Sequence, residues 1–441
     1  MLVLRPLVAR RLPAALRHTD FRRFWLGVLF DGVASQMIAV AVGWQVYAIH
    51  RSAFDLGLIG LAEFIPLPLL ALPAGRLADR LPRTKVYAAS NAGMGVIAAL
   101  LLVVTLHGAR SLPAFLGLAL LTGVAVAVGS PAARSMTPEL VPTELLSGAL
   151  ALRSVAFQAA TVAGPAVGGF VFALDAPAVY VVGIVMCALS CIWLLRVSPQ
   201  GPADEALAQA PGLSSLLLGI RFIKDTPIIF GAILLDLLAV LFGGAVILLP
   251  LYARTILHTG PLGLGVLRSA PAVGALIAGI RLTRKPLGRH AGRTLLVVVG
   301  AFGVSMVVFG LSRWFLVSIV ALAVSGFVDM FSMNIRSNVI ALATPNDVRG
   351  RVTAVEMVFI SASNELGGFE SGVAAALVGA VPAVVGGGAI TIALSLIWAK
   401  LFRPLAAVDR MEDLRPESAA GLGEVLPVGA GGPAPAPVPP D

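Results

Sequence analysis

Long apolar segments constrain this chain more than any other feature of its sequence. Twelve windows are poor in charge, and each is close to the roughly 20 residues that a helix needs to cross a bilayer. They cover residues 24–49, 56–75, 86–106, 112–133, 148–173, 177–195, 226–252, 262–281, 294–312, 315–335, 353–379 and 382–402. Because only 12% of the 441 residues are charged, against about 25% in soluble proteins, the chain is predicted to be an all-α membrane protein with twelve transmembrane helices.

A polar interval between the sixth and seventh windows divides the predicted helices into two sets of six. Part of that interval, residues 216–224, is amphipathic enough to lie along a membrane surface. The end of the chain is rich in Gly, Pro and Ala, a composition that cannot build a core and predicts disorder. The predicted domains are a leader at 1–23, an N-terminal six-helix bundle at 24–196, a central loop at 197–225, a C-terminal six-helix bundle at 226–405 and a disordered tail at 406–441.

The basic residues are distributed unevenly between the two sides of the predicted membrane protein. A net charge of +9 is compatible with nucleic-acid binding, but the cations lie in short loops between apolar windows, so we exclude a nucleic-acid partner. Loops on the side opposite the termini carry only Arg51, Arg110, Arg254 and Arg313. Cations near short loops mark the cytoplasmic side, so we expect a multi-pass protein of the inner membrane with the leader, central loop and tail all cytoplasmic.

The two halves of the chain contain an internal repeat with an offset of about 205 residues. Three landmarks carry it: the basic loop Arg76–Arg80 aligns with Arg281–Lys285, Thr137-Pro138 aligns with Thr344-Pro345, and Asp31 aligns with Asp236. Two similar halves in the same orientation are typical of transporters that rock around a site near the bilayer midplane. The repeat therefore predicts two pseudo-symmetric bundles.

The charged stretch between the second and third windows resembles the signature loop of the major facilitator superfamily. It reads Gly75-Arg76-Leu77-Ala78-Asp79-Arg80-Leu81-Pro82-Arg83-Thr84-Lys85, against the family pattern Gly-x-Leu-Ala-Asp-Arg-x-Gly-Arg-x-Lys, with Pro82 in place of the second Gly. The resemblance implies a gate on the cytoplasmic side in which Asp79 faces helix 11 and an Arg of the helix 4–5 region. Arg134 is the candidate partner, and Gly75, Arg80 and Arg83 belong to the same gate. The alternative is a solvated loop that only sets topology.

Other segments narrow the resemblance to the enterobactin-exporter and multidrug-efflux branch of that superfamily. They are Phe21-Arg22, the loops Ala132–Ser147 and Ala341–Arg351, and Gly219-Ile220-Arg221-Phe222. In helix 5, the residues Gly164, Pro165, Gly168 and Gly169 match the antiporter motif Gly-Pro-x-x-Gly-Gly, which implies export and a kinked, tightly packed helix. Ordinary helix packing is the alternative. One departure from the proton-coupled drug exporters is the absence of an Arg in the middle of helix 4.

Several charged residues lie inside the predicted helices, where a charge costs roughly 2.5–3.5 kcal/mol unless it faces a cavity or a partner. Asp31 is the first candidate to bind a proton or a cationic substrate group, and Asp236, Asp329 and Glu365 are further cavity candidates. Glu63 and Arg268 occupy equivalent repeat positions and are each predicted to form a gating contact across the halves. For Asp31 and Asp236 the alternative is hydrogen bonding to a neighbouring helix as a packing group, and for Glu63 and Arg268 it is solvation at headgroup level. Glu356 is expected to pair with Arg349 or Arg351.

Together these features predict a secondary transporter that exports a small amphipathic molecule, siderophore-like or drug-like, by proton antiport and alternating access. Its partners are the substrate, the proton and the bilayer, and we expect a monomer without cofactor or metal. Uptake of a nutrient or lipid-like solute by the same fold is the alternative. An intramembrane enzyme is less favoured, because the sequence has neither a His-Glu-x-x-His nor a Gly-x-Ser-x-Gly motif.

Overall fold

The computed structural model describes residues 13–108, 110–198, 213–285, 289–409 and Leu414. Every regular element within these residues is helical. The N-terminal bundle contains α1 (Thr19–His50), α2 (two segments, Ala53–Phe64 and Pro66–Arg80), α3 (Arg83–Leu106), α4 (Leu112–Glu139), α5 (Leu146–Leu174) and α6 (Ala176–Leu195). The hydrogen-bond ladder of α2 is interrupted at Pro66, which has no backbone N–H, while Ile65 keeps helical dihedral angles.

The C-terminal bundle repeats this arrangement with α7 (Pro227–Ile256), α8 (Gly260–Arg284), α9 (Ala291–Leu311), α10 (Phe315–Ala343), α11 (Asn346–Val378) and α12 (Ala380–Leu401). Regular α-helix in α7 ends at Gly243, and the helix continues through a 3-10 turn, Val246–Leu248, and a π turn, Tyr252–Ile256. Eleven helices in the described part are long and apolar enough to cross a membrane. The twelfth, α11, has 33 residues but carries more charge, and the predicted twelve-helix membrane fold is confirmed.

Helix α1 begins and α12 ends at the same side of the bundle, which we call the terminus face. The loops that follow the odd-numbered helices lie on the opposite side, which we call the far face. A further helix, Leu213–Asp225, lies in the predicted central loop on the terminus face. Its Gly219 packs so closely on α11 that an added Cβ would lie 3.0 Å from the Arg351 carbonyl oxygen. The central connection is thus attached to the start of α11.

The segment after α12 is also attached to the C-terminal bundle. The backbone carbonyl of Asp409 accepts a hydrogen bond from the Ala291 N–H (3.1 Å), and its carboxylate accepts one from the His290 N–H (2.9 Å). The same carboxylate pairs with Arg289 at 3.2 Å. These contacts cap the start of α9. Residues 410–413 and 415–441 of the predicted disordered tail lie outside the described residues, as do residues 1–12 of the predicted leader.

The two bundles meet along two helix pairs, α2 with α11 and α5 with α8. Within the N-terminal bundle, α1 packs against α5 and α6, and within the C-terminal bundle α8 and α9 pack against α10. The internal repeat relates one inter-bundle pair to the other, because α2 corresponds to α8 and α11 corresponds to α5. This symmetry places the surfaces of α2, α5, α8 and α11 around the centre of the molecule.

Candidate functional site

Glycine pairs join the bundles in the half of the membrane nearest the far face. In the α2–α11 contact, a Cβ on Gly372 would lie 2.8 Å from the Cα of Gly57. In the α5–α8 contact, a Cβ on Gly265 would lie 3.1 Å from the Cα of Gly169 and 2.4 Å from the Pro165 carbonyl oxygen. Small residues allow helix backbones to approach this closely. The bundles are therefore closed at the far face in this conformation.

The Gly-Pro-x-x-Gly-Gly stretch of α5 contacts helices on two sides. A Cβ on Gly164 would lie 2.6 Å from Gln36 Cβ, and one on Gly168 would lie 2.8 Å from Met37 Cα, so these glycines pack on α1 of the same bundle. Pro165 and Gly169 pack on α8 of the other bundle. Six consecutive residues of α5 thus contact both α1 and the helix on the other side of the inter-bundle boundary.

Three charged residues converge beneath the glycine contacts, on the side toward the membrane centre. They are Glu63 on α2, Arg268 on α8 and Glu365 on α11, and we call them the central triad. At 1.5 Å per residue, Arg268 lies about 12 Å and Glu63 about 15 Å along its helix from the far-face end. These depths are near the middle of a hydrocarbon core about 30 Å thick.

The guanidinium of Arg268 interacts electrostatically with the carboxylates of both Glu63 and Glu365. The Glu365 carboxylate lies 3.7 Å from the Cβ position of Gly60 on α2, so it reaches across the bundle boundary. All three side chains are half-buried, so none of them is sealed within the core of a single bundle. Two carboxylates and one guanidinium give the triad a formal charge of −1 when both acids are ionised.

Sequence reasoning selected all three residues but assigned them different roles. Glu365 was predicted to line the cavity, whereas Glu63 and Arg268 were predicted to make separate gating contacts. The structure brings them into one cluster that spans both bundles. Gly57, Gly265 and Gly372, which let the helices approach above the cluster, were missed. The sequence alone carries no direct signal for them, because each contact joins residues that are far apart along the chain.

Interrupted helices flank the central triad. In α2 the missing N–H of Pro66, three residues after Glu63, interrupts the hydrogen-bond ladder while Ile65 keeps helical dihedral angles. In α7 the backbone leaves the helical conformation at Gly244, whose carbonyl accepts a 2.8 Å hydrogen bond from the Ser371 hydroxyl. Ile247, just after that break, packs near Gly60 and Gly368. Transporters commonly place ligand sites at such discontinuous helices, because unwound backbone supplies polar groups inside the membrane.

Asp31 lies away from the triad contacts, inside the N-terminal bundle. Its carboxylate accepts a 2.8 Å hydrogen bond from the Tyr87 hydroxyl of α3. The side chain is half-buried. The hydrogen bond from Tyr87 gives Asp31 a partner within its own bundle, in agreement with a packing role. Part of the Asp31 side chain remains exposed.

Asp236, the repeat counterpart of Asp31, belongs to a buried ion cluster in the C-terminal bundle. Arg336 of α10 is only 4% exposed, and it pairs with Asp236 of α7 and, at 3.4 Å, with Glu356 of α11. Asp329 interacts electrostatically with Asp236 and Arg336. Asp236 and Asp329 also line a cavity of about 10 Å³ with Ser332, roughly the space of one water molecule.

The structure corrects the expected partner of Glu356. The sequence analysis paired it with Arg349 or Arg351, but the carboxylate pairs with Arg336, and the Arg349 guanidinium donates to the Thr344 carbonyl at 3.2 Å. Arg336 was not singled out as an intramembrane charge, since the tenth apolar window was ended at residue 335. Helix α10 continues to Ala343, and Val339 and Ile340 are buried in that last part. The apolar residues after Arg336 are the sequence signal that the helix continues past it.

The signature loop at the terminus face makes contacts in both bundles. Arg83 pairs with Glu139 at the end of α4, within the N-terminal bundle. Arg134 of α4 contacts the Met357 sulfur of α11, which joins the bundles near the terminus face. Arg80 is exposed, and a Cβ on Gly75 would meet nothing within 4 Å. The side chain of Asp79 lies outside the described part, so its contact with Arg134 stays a prediction.

Pro82 explains how the loop turns without the second glycine of the family pattern. Leu81 is extended, with φ −112° and ψ 154°, and Pro82 has φ −53° and ψ 117°. Neither residue needs a positive φ, which is the conformation for which glycine is favoured. A proline with its fixed φ therefore fits this two-residue connection and leads directly into α3.

Comparison with known proteins identifies the family to which this architecture belongs. The sequence profile of the family described as "Transmembrane secretion effector" matches residues 12–420. The chain is a member of this family of the major facilitator superfamily. The predicted superfamily membership is confirmed, and the protein is a membrane transporter of this superfamily, not an enzyme.

Relatives and solved structures agree with this assignment. The enterobactin exporter EntS of Citrobacter koseri is 28% identical over 347 residues, which cover 77% of this chain and 81% of that protein. The same protein of Escherichia coli O157:H7 has the same identity and coverage. The nucleoside transporter NupG (D323A mutant) superposes with a TM-score of 0.69 at 12% identity, covering 88% of this chain and 99% of that one. A D-xylose-proton symporter gives 0.68 at 14%, covering 88% and 98%. At these identities, the two structures show the shared fold.

Proposed function

We propose that this secretion effector exports a small amphipathic molecule, siderophore-like or drug-like, in exchange for protons. The central triad carries the proposal, because it places two carboxylates and one guanidinium from both bundles at mid-membrane depth. Relatives named as enterobactin exporters support the direction of transport and a siderophore-like substrate. The Gly-Pro-x-x-Gly-Gly motif of α5, with its contacts to α1 and α8, supports an exporter as well.

Alternating access changes the pairing within the triad. Arg268 and Glu365 belong to the same bundle and move together, whereas Glu63 belongs to the other bundle. When the bundles separate at the far face, Glu63 leaves Arg268 and loses its cationic partner. An unpaired charge at this depth costs roughly 2.5–3.5 kcal/mol, so a proton or a hydrogen-bond donor of the substrate then neutralises Glu63.

Competition between the proton and the substrate for the Glu63 carboxylate couples proton entry to substrate export. On the way outward, a donor group of the substrate occupies the Glu63 carboxylate, and release at the far face frees it for a proton. On the return, Arg268 re-forms its pair with Glu63 and displaces the proton toward the terminus face. One carboxylate that binds either proton or substrate, but not both, gives antiport. Glu365 keeps Arg268 paired throughout the cycle.

The remaining predicted sites take supporting roles in this proposal. The bias of cations toward the terminus face makes that face cytoplasmic. The conformation closed at the far face therefore accepts substrate from the cytoplasm once the Arg134–Met357 contact at the terminus face separates. Asp31 keeps its hydrogen bond from Tyr87 within the N-terminal bundle, and Asp236 and Asp329 remain in the ion cluster around Arg336 in the C-terminal bundle. Asp79 with Arg134 forms a latch at the terminus face that closes when the far face opens. The unit that performs this cycle is a monomer in the inner membrane.

Transport into proteoliposomes tests the proposal. Liposomes with an imposed pH gradient are loaded with purified protein, and uptake of ethidium and of the catechol siderophore enterobactin is compared with protein-free liposomes. We expect gradient-driven movement for wild type, and for Glu63→Gln loss of gradient dependence with retained substrate exchange. Asp175→Asn, at the far-face start of α6, is the control and keeps gradient dependence.

Two outcomes would contradict the proposal. If no compound in a broad panel of amphipathic molecules moves faster than in protein-free liposomes, the export function is wrong. If Glu63→Gln and Glu365→Gln both keep wild-type dependence on the pH gradient, the central triad is not the coupling site. Movement coupled in the direction of co-transport with protons would favour uptake instead.

A further inference from the structure

A second cavity lies between the bundles at the far face, away from the central triad. Its volume is about 590 Å³. The N-terminal bundle contributes Arg51 and Ser52, from the loop between α1 and α2, and the C-terminal bundle contributes Thr255, Arg313 and the start of α12. Every charged residue among the described residues that line it is an arginine. The cavity therefore has the character of an anion site.

Arg51 has a backbone conformation that glycine adopts more readily than a residue with a side chain. Arg51 ends α1 in the left-handed conformation, with φ 52° and ψ 30°. Glycine is the usual residue at such a helix end, and a residue with a Cβ pays roughly 1–2 kcal/mol for this conformation. The carboxylate of Asp55, four residues along the chain from Arg51, lies 3.5 Å from the His50 ring, so it has another partner.

The start of α12 adds a second source of positive potential. Gly379, Ala380 and Val381 line the cavity, and no side chain caps the first turn of this 22-residue helix. Unpaired N–H groups and the helix dipole at such an end favour anions. The amide groups at the start of α12 and the two arginines thus surround the same space from three directions.

The depth of the cavity fits the phosphate layer of a bilayer. Trp314, next to Arg313, is 75% exposed, and exposed tryptophans at the ends of spanning helices lie at headgroup level. Arginine binds phosphate through two parallel N–H···O bonds, which makes the pair both strong and directional. A phosphate group at this level is accessible from the outer leaflet or from the solution beyond it.

We propose that this cavity binds a phosphate group between Arg51 and Arg313, and that the bound phosphate holds the far face closed. The two arginines belong to different bundles, so separation of the bundles at the far face draws them apart and breaks the bridge. The phosphate group is that of a lipid headgroup or of free phosphate. Its occupancy sets the fraction of protein that accepts substrate from the terminus face.

Thermal unfolding of the purified full-length protein in dodecyl maltoside tests the binding site. One arm titrates inorganic phosphate, another titrates dihexanoyl phosphatidylglycerol, and sodium chloride at equal ionic strength is the reference. If the site takes a lipid headgroup, only dihexanoyl phosphatidylglycerol raises the unfolding temperature. If it takes any phosphate group, inorganic phosphate raises the unfolding temperature as well. Arg51→Gln/Arg313→Gln weakens the apparent affinity about tenfold or more, since hydrogen bonds to charged groups are lost. Arg110→Gln, a far-face arginine outside the cavity, is the matched control.

Distances between spin labels test the effect on conformation. Labels at Leu106→Cys and Trp314→Cys, in a Cys187→Ser/Cys191→Ser background, report the separation of the bundles at the far face. The phosphate compound that raises the unfolding temperature is expected to shift the distribution of label–label distances toward short values. The variant Arg51→Gln/Arg313→Gln is expected to show no such shift. Absence of stabilisation in both arms, or equal stabilisation of the double variant, overturns the proposal. Neither measurement uses a substrate or a pH gradient, so the result is separate from the proposed antiport.

Discussion

Substitution of Gly372 by alanine is expected to open the far face. The new Cβ would lie 2.8 Å from the Cα of Gly57 and 2.9 Å from the Ala53 carbonyl oxygen, so the α2–α11 contact cannot form without a backbone shift. Overpacking of this kind costs about 1–3 kcal/mol. Because the strain exists only while the bundles touch at the far face, the ratio of far-open to far-closed protein rises about 5- to 150-fold.

The assay is the distance between spin labels at Leu106→Cys and Trp314→Cys, measured in a lipid nanodisc without substrate. Wild type is expected to show mainly short distances, and Gly372→Ala a new population at longer ones. Gly117→Ala and Gly386→Ala are matched controls, because a Cβ at either position meets nothing within 4 Å. All three variants share the gain in helix propensity of about 1 kcal/mol, so only Gly372→Ala adds the steric effect.

The refuting result is an unchanged distance distribution for Gly372→Ala in protein that unfolds at the wild-type temperature. Such a result would mean that the glycine contact is not part of the closed far face. A lowered unfolding temperature with no new distance population would also contradict the reasoning, since the strain would then be released by unfolding instead of by bundle separation.

Three further outcomes follow from the contacts described above. Arg336→Met is expected to lower the free energy of unfolding by about 3–5 kcal/mol, because Asp236 and Glu356 lose their buried partner, and adding Asp236→Asn recovers part of that loss in the same thermal melt. Gly168→Leu is expected to prevent α5 from packing on α1 and to reduce folded yield in size-exclusion chromatography, whereas Gly168→Ala retains more. The His290 N–H holds the pKa of Asp409 below its ordinary 3.8. Asp409→Asn is therefore expected to speed hydrogen exchange at the start of α9 at pH 7, a difference from wild type that disappears as the pH falls below that value.

The fold was predictable from the sequence because hydrocarbon leaves few alternatives. Each apolar window had to become a helix to satisfy its own backbone, and the repeat divided those helices between two bundles. Helix ends were less certain, as α10 shows: its apolar window was closed before Arg336, yet the helix continues to Ala343 and buries that charge. A window average cannot distinguish an arginine at a helix end from one paired inside a bundle.

The candidate site was predictable as residues but not as a cluster. Intramembrane charge alone selected Glu63, Arg268 and Glu365, because such charges are costly without a partner. Which charges meet depends on how each helix is rotated about its axis, and that rotation is set by inter-bundle contacts such as Gly57 with Gly372. A single sequence carries no direct signal for contacts so distant along the chain. The resemblance to the superfamily supplied the loop and the antiporter motif, while the meeting of the triad came from three-dimensional packing.

Proton release on substrate binding tests the central claim most directly. Purified protein in weakly buffered detergent solution is mixed with a substrate identified in the proteoliposome panel, and a pH indicator reports protons released. If proton and substrate compete for Glu63, protein opened at the far face by Gly372→Ala, in which Glu63 has left Arg268 and holds a proton, releases protons on binding. The same protein with Glu63→Gln binds without release, and with Asp175→Asn it still releases protons. Equal release with and without Glu63→Gln would contradict the account, as would tight binding with no proton released at any pH at which wild type transports.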